Sequence, residues 1–189
     1  MTRRGFFRRL GAMGLALVPG LAWAAPRRAR EQDVKLAYLY NLVRFTRWPE
    51  GVPAEGEPFR FGLWGGDPFG AAWDDLALRR VGGRPAEAVR VRNPDEALRC
   101  HALFLVEEDG ASLGWMLEAV RGRPVLTAGD APGFVDRGGM VGFVHRDGRI
   151  RFEINVGAMR RSGLRMSADV LRLAVRVVGL EGKGDVSLP

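Results

Sequence analysis

The stretch Cys100-His-Ala-Leu-Phe-Leu-Val106 decides the reading of this chain, because five consecutive apolar residues, Ala102 to Val106, leave no polar face. Half-buried strands alternate apolar and polar residues, whereas a strand covered on both faces reads as a continuous apolar run. Working outward, Phe59 to Trp64 is a second strand, followed by Gly65-Gly66-Asp67-Pro68-Phe69-Gly70 and a short helix around Ala71 to Leu78. Ala86 to Val91 follows the Gly82-Gly83 turn as another strand, and Asn93-Pro94-Asp95 starts a brief helix. Leu113 to Val120 is helical, Pro124 to Thr127 is a strand, and Gly129 to Phe134 opens a further short helix. Strands alternating with short helices predict an α/β domain with a largely parallel central sheet and helices on both faces. Met140 to His145 and Arg149 to Ile154 flank Arg146-Asp147-Gly148, an Asp-Gly turn that predicts a C-terminal antiparallel hairpin edge.

Towards the N-terminus, Val34, Ala37, Tyr38, Leu42 and Phe45 recur at helical spacing, with Lys35, Arg44 and Arg47 on the other face. Glu31 and Asp33 suit the start of this helix and Trp48-Pro49 ends it. Asn41 falls on the apolar face, as a hydrogen-bonded core residue or a ligand contact. After the hairpin, Val156 to Arg161 is helical, and Ser167 caps a last helix carrying Val170, Leu171, Ala174, Val175 and Val178. The chain reads as one α/β domain over 34–178, after a signal peptide (1–24) and a basic leader (25–33), with a flexible tail at 179–189.

The signal peptide rests on three zones. Arg3, Arg4, Arg8 and Arg9 precede an apolar stretch, Leu10 to Leu21, that is too short for the roughly 20 residues of a membrane span. Ala22-Trp23-Ala24 then supplies a small-x-small cleavage pattern, which predicts a cut between Ala24 and Ala25. Arg3-Arg4-Gly5-Phe6-Phe7 favours the twin-arginine route over general secretion, and either route predicts a periplasmic protein. The net charge of +7 falls to +3, with 25 basic against 22 acidic residues, once the signal peptide's four arginines are removed. Basic and acidic residues are interspersed, so a nucleic-acid partner is not expected. Cys100 is the single cysteine, which excludes an internal disulfide and a Cys-x-x-Cys metal site.

Candidate surface residues cluster where open α/β sheets bind ligands, at the carboxyl ends of the strands. Asp67 and Asp130 each precede a proline-bearing turn, where helix capping competes with a ligand site. Together with Glu107, Glu108 and Asp109 they would line a carboxylate-rich rim that suits a cationic or polar ligand and repels phosphate. Glu153 and Asn155 share one sheet face, for structure or for a site. Phe69, Trp73 and Trp64, with arginines and the final helix, are candidate partner contacts. No catalytic motif, metal site or cofactor is predicted, and neither His101 nor His145 sits in a nucleophile–base pattern.

The blocks Lys35-Leu-Ala-Tyr-Leu-Tyr-Asn41, Phe45-Thr-Arg-Trp-Pro49, Gly66-Asp-Pro-Phe-Gly70, Cys100-His-Ala-Leu-Phe104, Leu126-Thr-Ala-Gly-Asp130, Gly138-Gly-Met140 and Arg151-Phe-Glu-Ile-Asn155 occur in that order. They continue through Arg160-Arg-Ser-Gly-Leu164 and Ser167 to Leu171-Arg-Leu173. As a collinear set over residues 34–177, they resemble the YfiR family of periplasmic proteins. The resemblance implies a compact, often dimeric α/β repressor that binds the sensor part of an inner-membrane diguanylate cyclase and lowers cyclic di-GMP. It also implies sequestration by an outer-membrane lipoprotein. Studied relatives carry several cysteines with stabilising, redox-responsive disulfides; with Cys100 alone, that control does not carry over. Two other functions remain at this point: a small-ligand binding module at Asp67, Glu107 and Asp130, and a hydrolase using Glu153 with His145.

Overall fold

The structure, a computed structural model, describes residues 24–180 and 186–187. The predicted signal peptide, apart from Ala24, and most of the predicted tail lie outside the described residues. Ala24 and Ala25 form the first turn of helix α1 (Ala24–Arg44), so the stretch read as a leader is helical backbone.

Among the described residues, eleven strands follow or interleave with six helices. They are β1 (Thr46–Arg47), β2 (Phe59–Trp64), β3 (Arg80–Val81), β4 (Arg84–Val91), β5 (Ala102–Leu105), β6 (Leu126–Gly129), β7 (Val141–Arg146), β8 (Arg149–Asn155), β9 (Arg165–Met166), β10 (Arg176–Val178) and β11 (Val186–Ser187). The later helices are α2 (Ala71–Asp74, extended by a 3-10 turn over Asp75–Leu78), α3 (Pro94–Ala97), α4 (Gly110–Ala119), α5 (Val156–Arg161) and α6 (Ala168–Leu173). The main sheet runs β11-β10-β8-β7-β6-β5-β2-β4-β3, and β1 pairs separately with β9. Strands β4, β2, β5, β6 and β7 are mutually parallel. The hairpin β7–β8 turns through Asp147 and Gly148, both at positive φ, as its Asp-Gly sequence requires. Strand β10 then lies parallel beside β8, continuing the sheet past the hairpin.

All four residues of β5 are fully buried. Ala102 and Phe104 face the larger core, with α1, α2 and α5; Leu103 and Leu105 face the smaller one, with α3 and α4. Helices therefore cover both faces, as the apolar run requires.

Three local expectations are corrected. Helix α1 buries Gln32, Lys35, Leu36, Leu39, Leu42 and Val43, while Val34, Ala37, Asn41 and Phe45 are exposed. The buried stripe is rotated from the predicted one because it carries the leucines, and because Lys35 finds carboxylates inside. Residues 131–138 form consecutive hydrogen-bonded turns instead of a helix, interrupted by Gly133 and Gly138 at positive φ. Helix α6 stops at Leu173, since Val175 donates its N–H to the Phe152 carbonyl and Val177 and Val178 belong to β10.

These turns seat Phe134, which is fully buried. A Cβ on Gly129 would lie 2.5 Å from Phe134 Cε2, and one on Gly139 would overlap the same ring. Gly139→Ala is therefore expected to destabilise the fold by about 3 kcal/mol, the upper range for overpacking. Gly114 in α4 has open space around it, so Gly114→Ala should stabilise by about 0.5–1 kcal/mol. Thermal unfolding of the two variants checks both signs.

Candidate functional site

The carboxyl ends of β2, β5 and β6 bring Asp67, Glu107 and Asp130 to one rim, and each meets a cation. Asp67 accepts the N–H groups of Phe69 and Gly70 through Oδ1 (2.9 and 3.0 Å) and Arg90 Nη2 through Oδ2 (2.7 Å). It caps the turn that leads to α2 rather than the helix, whose N-cap is Gly70. Arg90 also reaches Asp74 at 3.3 Å and lies 5.9 Å from the centre of the Trp73 ring. Glu107 accepts from Arg137, which also donates to the Gly110 carbonyl. Asp109 caps α4 through Ser112 N, and its bonds to Ser112 hold its carboxyl below the usual range.

Asp130 accepts from Lys35 Nζ at 2.7 Å, and the same ammonium contacts Glu31 Oε1 at 2.7 Å. Lys35 is only 4% exposed. Burial alone would push its pKa down; the hydrogen bonds it donates to Asp130 and Glu31 outweigh this and hold it above the ordinary lysine value. Glu31 also meets His145 Nε2 at 2.9 Å, which ties α1 to the hairpin.

Glu153 and Asn155 lie at the end of β8. Glu153 accepts from Arg176 Nη2 at 2.9 Å, and Arg176 holds Asp136 through two further bonds of 2.9 and 2.7 Å. Asn155 caps α5 through Ala158 N and donates to the Val135 carbonyl, 2.9 Å each. These residues brace the turn region around Phe134. Glu153 and His145 form no hydrogen bond or ion pair with each other among the described residues.

The rim expected to attract a cation is thus matched by Arg90, Arg137 and Lys35, a pattern of opposing charges that spacing along the chain does not reveal. Phe69 and Trp73 are core residues, stacked at 5.6 Å, with Phe69 edge-on to Phe104 at 4.8 Å. As candidate partner contacts they are corrected: neither presents surface to a partner in this structure. Apolar surface is offered instead by Val34, Phe45, Leu78, Trp115 and Leu173. Asn41 is exposed, lining a groove between α1 and α2 with Tyr40, Arg44 and Arg79. Among the described residues, no three His, Cys, Asp or Glu side chains cluster as a metal site.

Cys100 is buried and donates to the Glu96 carbonyl at 3.4 Å; burial pushes its thiol pKa up to about 12, which makes it an inert core thiol. His101 is buried too, its Nδ1 accepting the Arg60 N–H at 3.0 Å.

The profile of the YfiR/HmsC-like family matches residues 32–175 of this chain. The chain belongs to that family. Members are periplasmic regulators rather than enzymes, and the family points to a regulatory role in cyclic di-GMP signalling through a membrane sensor or cyclase. Among the described residues, no helix is long and apolar enough to cross a membrane.

Burial lowers the His101 pKa below its ordinary 6.5. The unfolded chain then binds a proton that the native one refuses, so this contribution to stability is complete above pH 6.5 and lost as pH falls below it. His101→Asn, which keeps an acceptor for Arg60 N–H, should flatten the loss of stability between about pH 7 and about pH 5 in denaturant titrations.

Proposed function

We propose that this protein is an exported repressor that binds the periplasmic sensor part of an inner-membrane diguanylate cyclase and so lowers cellular cyclic di-GMP. The family match over residues 32–175 carries this reading, because it spans nearly all of the folded domain. The chemistry of the rim is consistent with a binding protein: its carboxylates are engaged in cross-element pairs that hold a surface in shape. Delivery in this reading uses residues 1–24 as a twin-arginine signal, cleaved between Ala24 and Ala25. The contact surface is the rim that includes Asp67, Asp130, Glu153 and Asn155 with their arginine and lysine partners, and release follows when an outer-membrane lipoprotein sequesters the repressor. Homodimers belong to the same proposal.

Deleting the coding sequence is expected to raise cellular cyclic di-GMP, with reversal by the exported chain and not by a form lacking residues 2–24. An unchanged level across several growth conditions, or reversal by the cytoplasmic form, would overturn the repressor reading.

A further inference from the structure

A separate cleft opens where α4 and α5 end, floored by Thr127 of β6 and by Met140. It offers about 30 Å³ of free space and opens to solvent, and its lining carries three guanidinium side chains, Arg121, Arg137 and Arg161, with no carboxylate. Arg121 pairs with Glu118 and Arg137 with Glu107, both outside the lining. Arg161 is exposed and has no ion-pair or hydrogen-bond partner among the described residues.

Two hydroxyls complete the wall. Ser162 is 4% exposed as a residue; its hydroxyl reaches the cleft and forms no hydrogen bond with another described residue. Thr127 is 2% exposed; its Oγ1 accepts the Met140 N–H at 3.0 Å, and its proton is given to no acceptor among the described residues. Arginines near helix C-termini complement the helix dipole, which accounts for Arg121 and Arg161 alone. That effect gives no reason for the same lining to carry two hydroxyl side chains, Thr127 and Ser162, and a third arginine.

We infer that this cleft binds a small tetrahedral oxyanion, phosphate free or as a monoester. Its lining residues come from several elements, the end of α4, the end of α5, strand β6 and the 131–139 turns. Guanidinium forks and hydroxyls are the donors that recognise phosphate oxygens. The inference does not depend on the repressor reading, and the cleft shares Arg137 with the carboxylate rim.

The test is thermal unfolding of the purified chain against sodium phosphate and glycerol 3-phosphate, with sodium chloride at matched ionic strength. A ligand of the native state raises Tm saturably, and both phosphates should do so where chloride does not. Arg161→Gln, at an exposed position, should weaken the apparent affinity about tenfold, as expected for a charge-assisted hydrogen bond. Ser162→Ala should weaken it several-fold. A larger shift with glycerol 3-phosphate would assign the ligand to a monoester, and equal shifts to the oxyanion itself. Equal stabilisation by chloride, or undiminished phosphate binding by Arg161→Gln, would overturn the site.

Discussion

A single buried ammonium sets the frame of this protein. Lys35 lies inside, and a charge removed from water needs matched partners there. Asp130, just beyond β6, and Glu31, one turn earlier on α1, supply them. The pair sets the rotation of α1 over the sheet: Leu36, Leu39, Leu42 and Val43 enter the core, and Val34, Asn41 and Phe45 face outward. It also joins the first helix to the far end of a central strand, 95 residues away in sequence.

Beside Asp130, the turns through residues 131–139 depend on a second constraint, a phenylalanine ring in a slot that only glycine leaves open. Phe134 fills the space between Gly129 and Gly139, and the same turns present Asp136 to Arg176 and the Val135 carbonyl to Asn155. Charge pairing of this kind contributes little where it is exposed. Its value here is positional, since it holds irregular backbone at the rim in one arrangement. A protein organised this way is suited to offer a fixed surface, which agrees with a regulator that acts by contact.

Much of the fold was legible in the sequence. The apolar run of β5, the Asp-Gly hairpin, and the Asn93 and Ser167 caps are local signals whose physics is complete within a few residues. The errors have one cause. Spacing alone puts Lys35 on the solvent side of α1 and leaves Asp130 between a cap and a ligand contact, because neither partner is near the other in sequence. Phe69 and Trp73 have the aromatic character of interface anchors, and only their packing against each other and Phe104 assigns them to the core. Val175 and Val178 fit a helical stripe, yet pairing with β8 recruits them into extended backbone. The carboxylate rim was located, but its neutralising arginines arrive from β4 and the 131–139 turns, which spacing cannot show. The Arg161–Ser162 cleft was missed for the same reason; its residues were legible only as a helix end.

The family assignment gives this scaffold a functional frame: membership of a periplasmic family that points to a regulatory role in cyclic di-GMP signalling. The most direct test of its central claim is the effect of purified protein on cyclic di-GMP synthesis by a full-length, membrane-reconstituted diguanylate cyclase from the same cell. The account predicts saturable inhibition that disappears when the cyclase's periplasmic part is deleted. Synthesis that is unaffected at saturating protein, or inhibition that persists without that part, would contradict it.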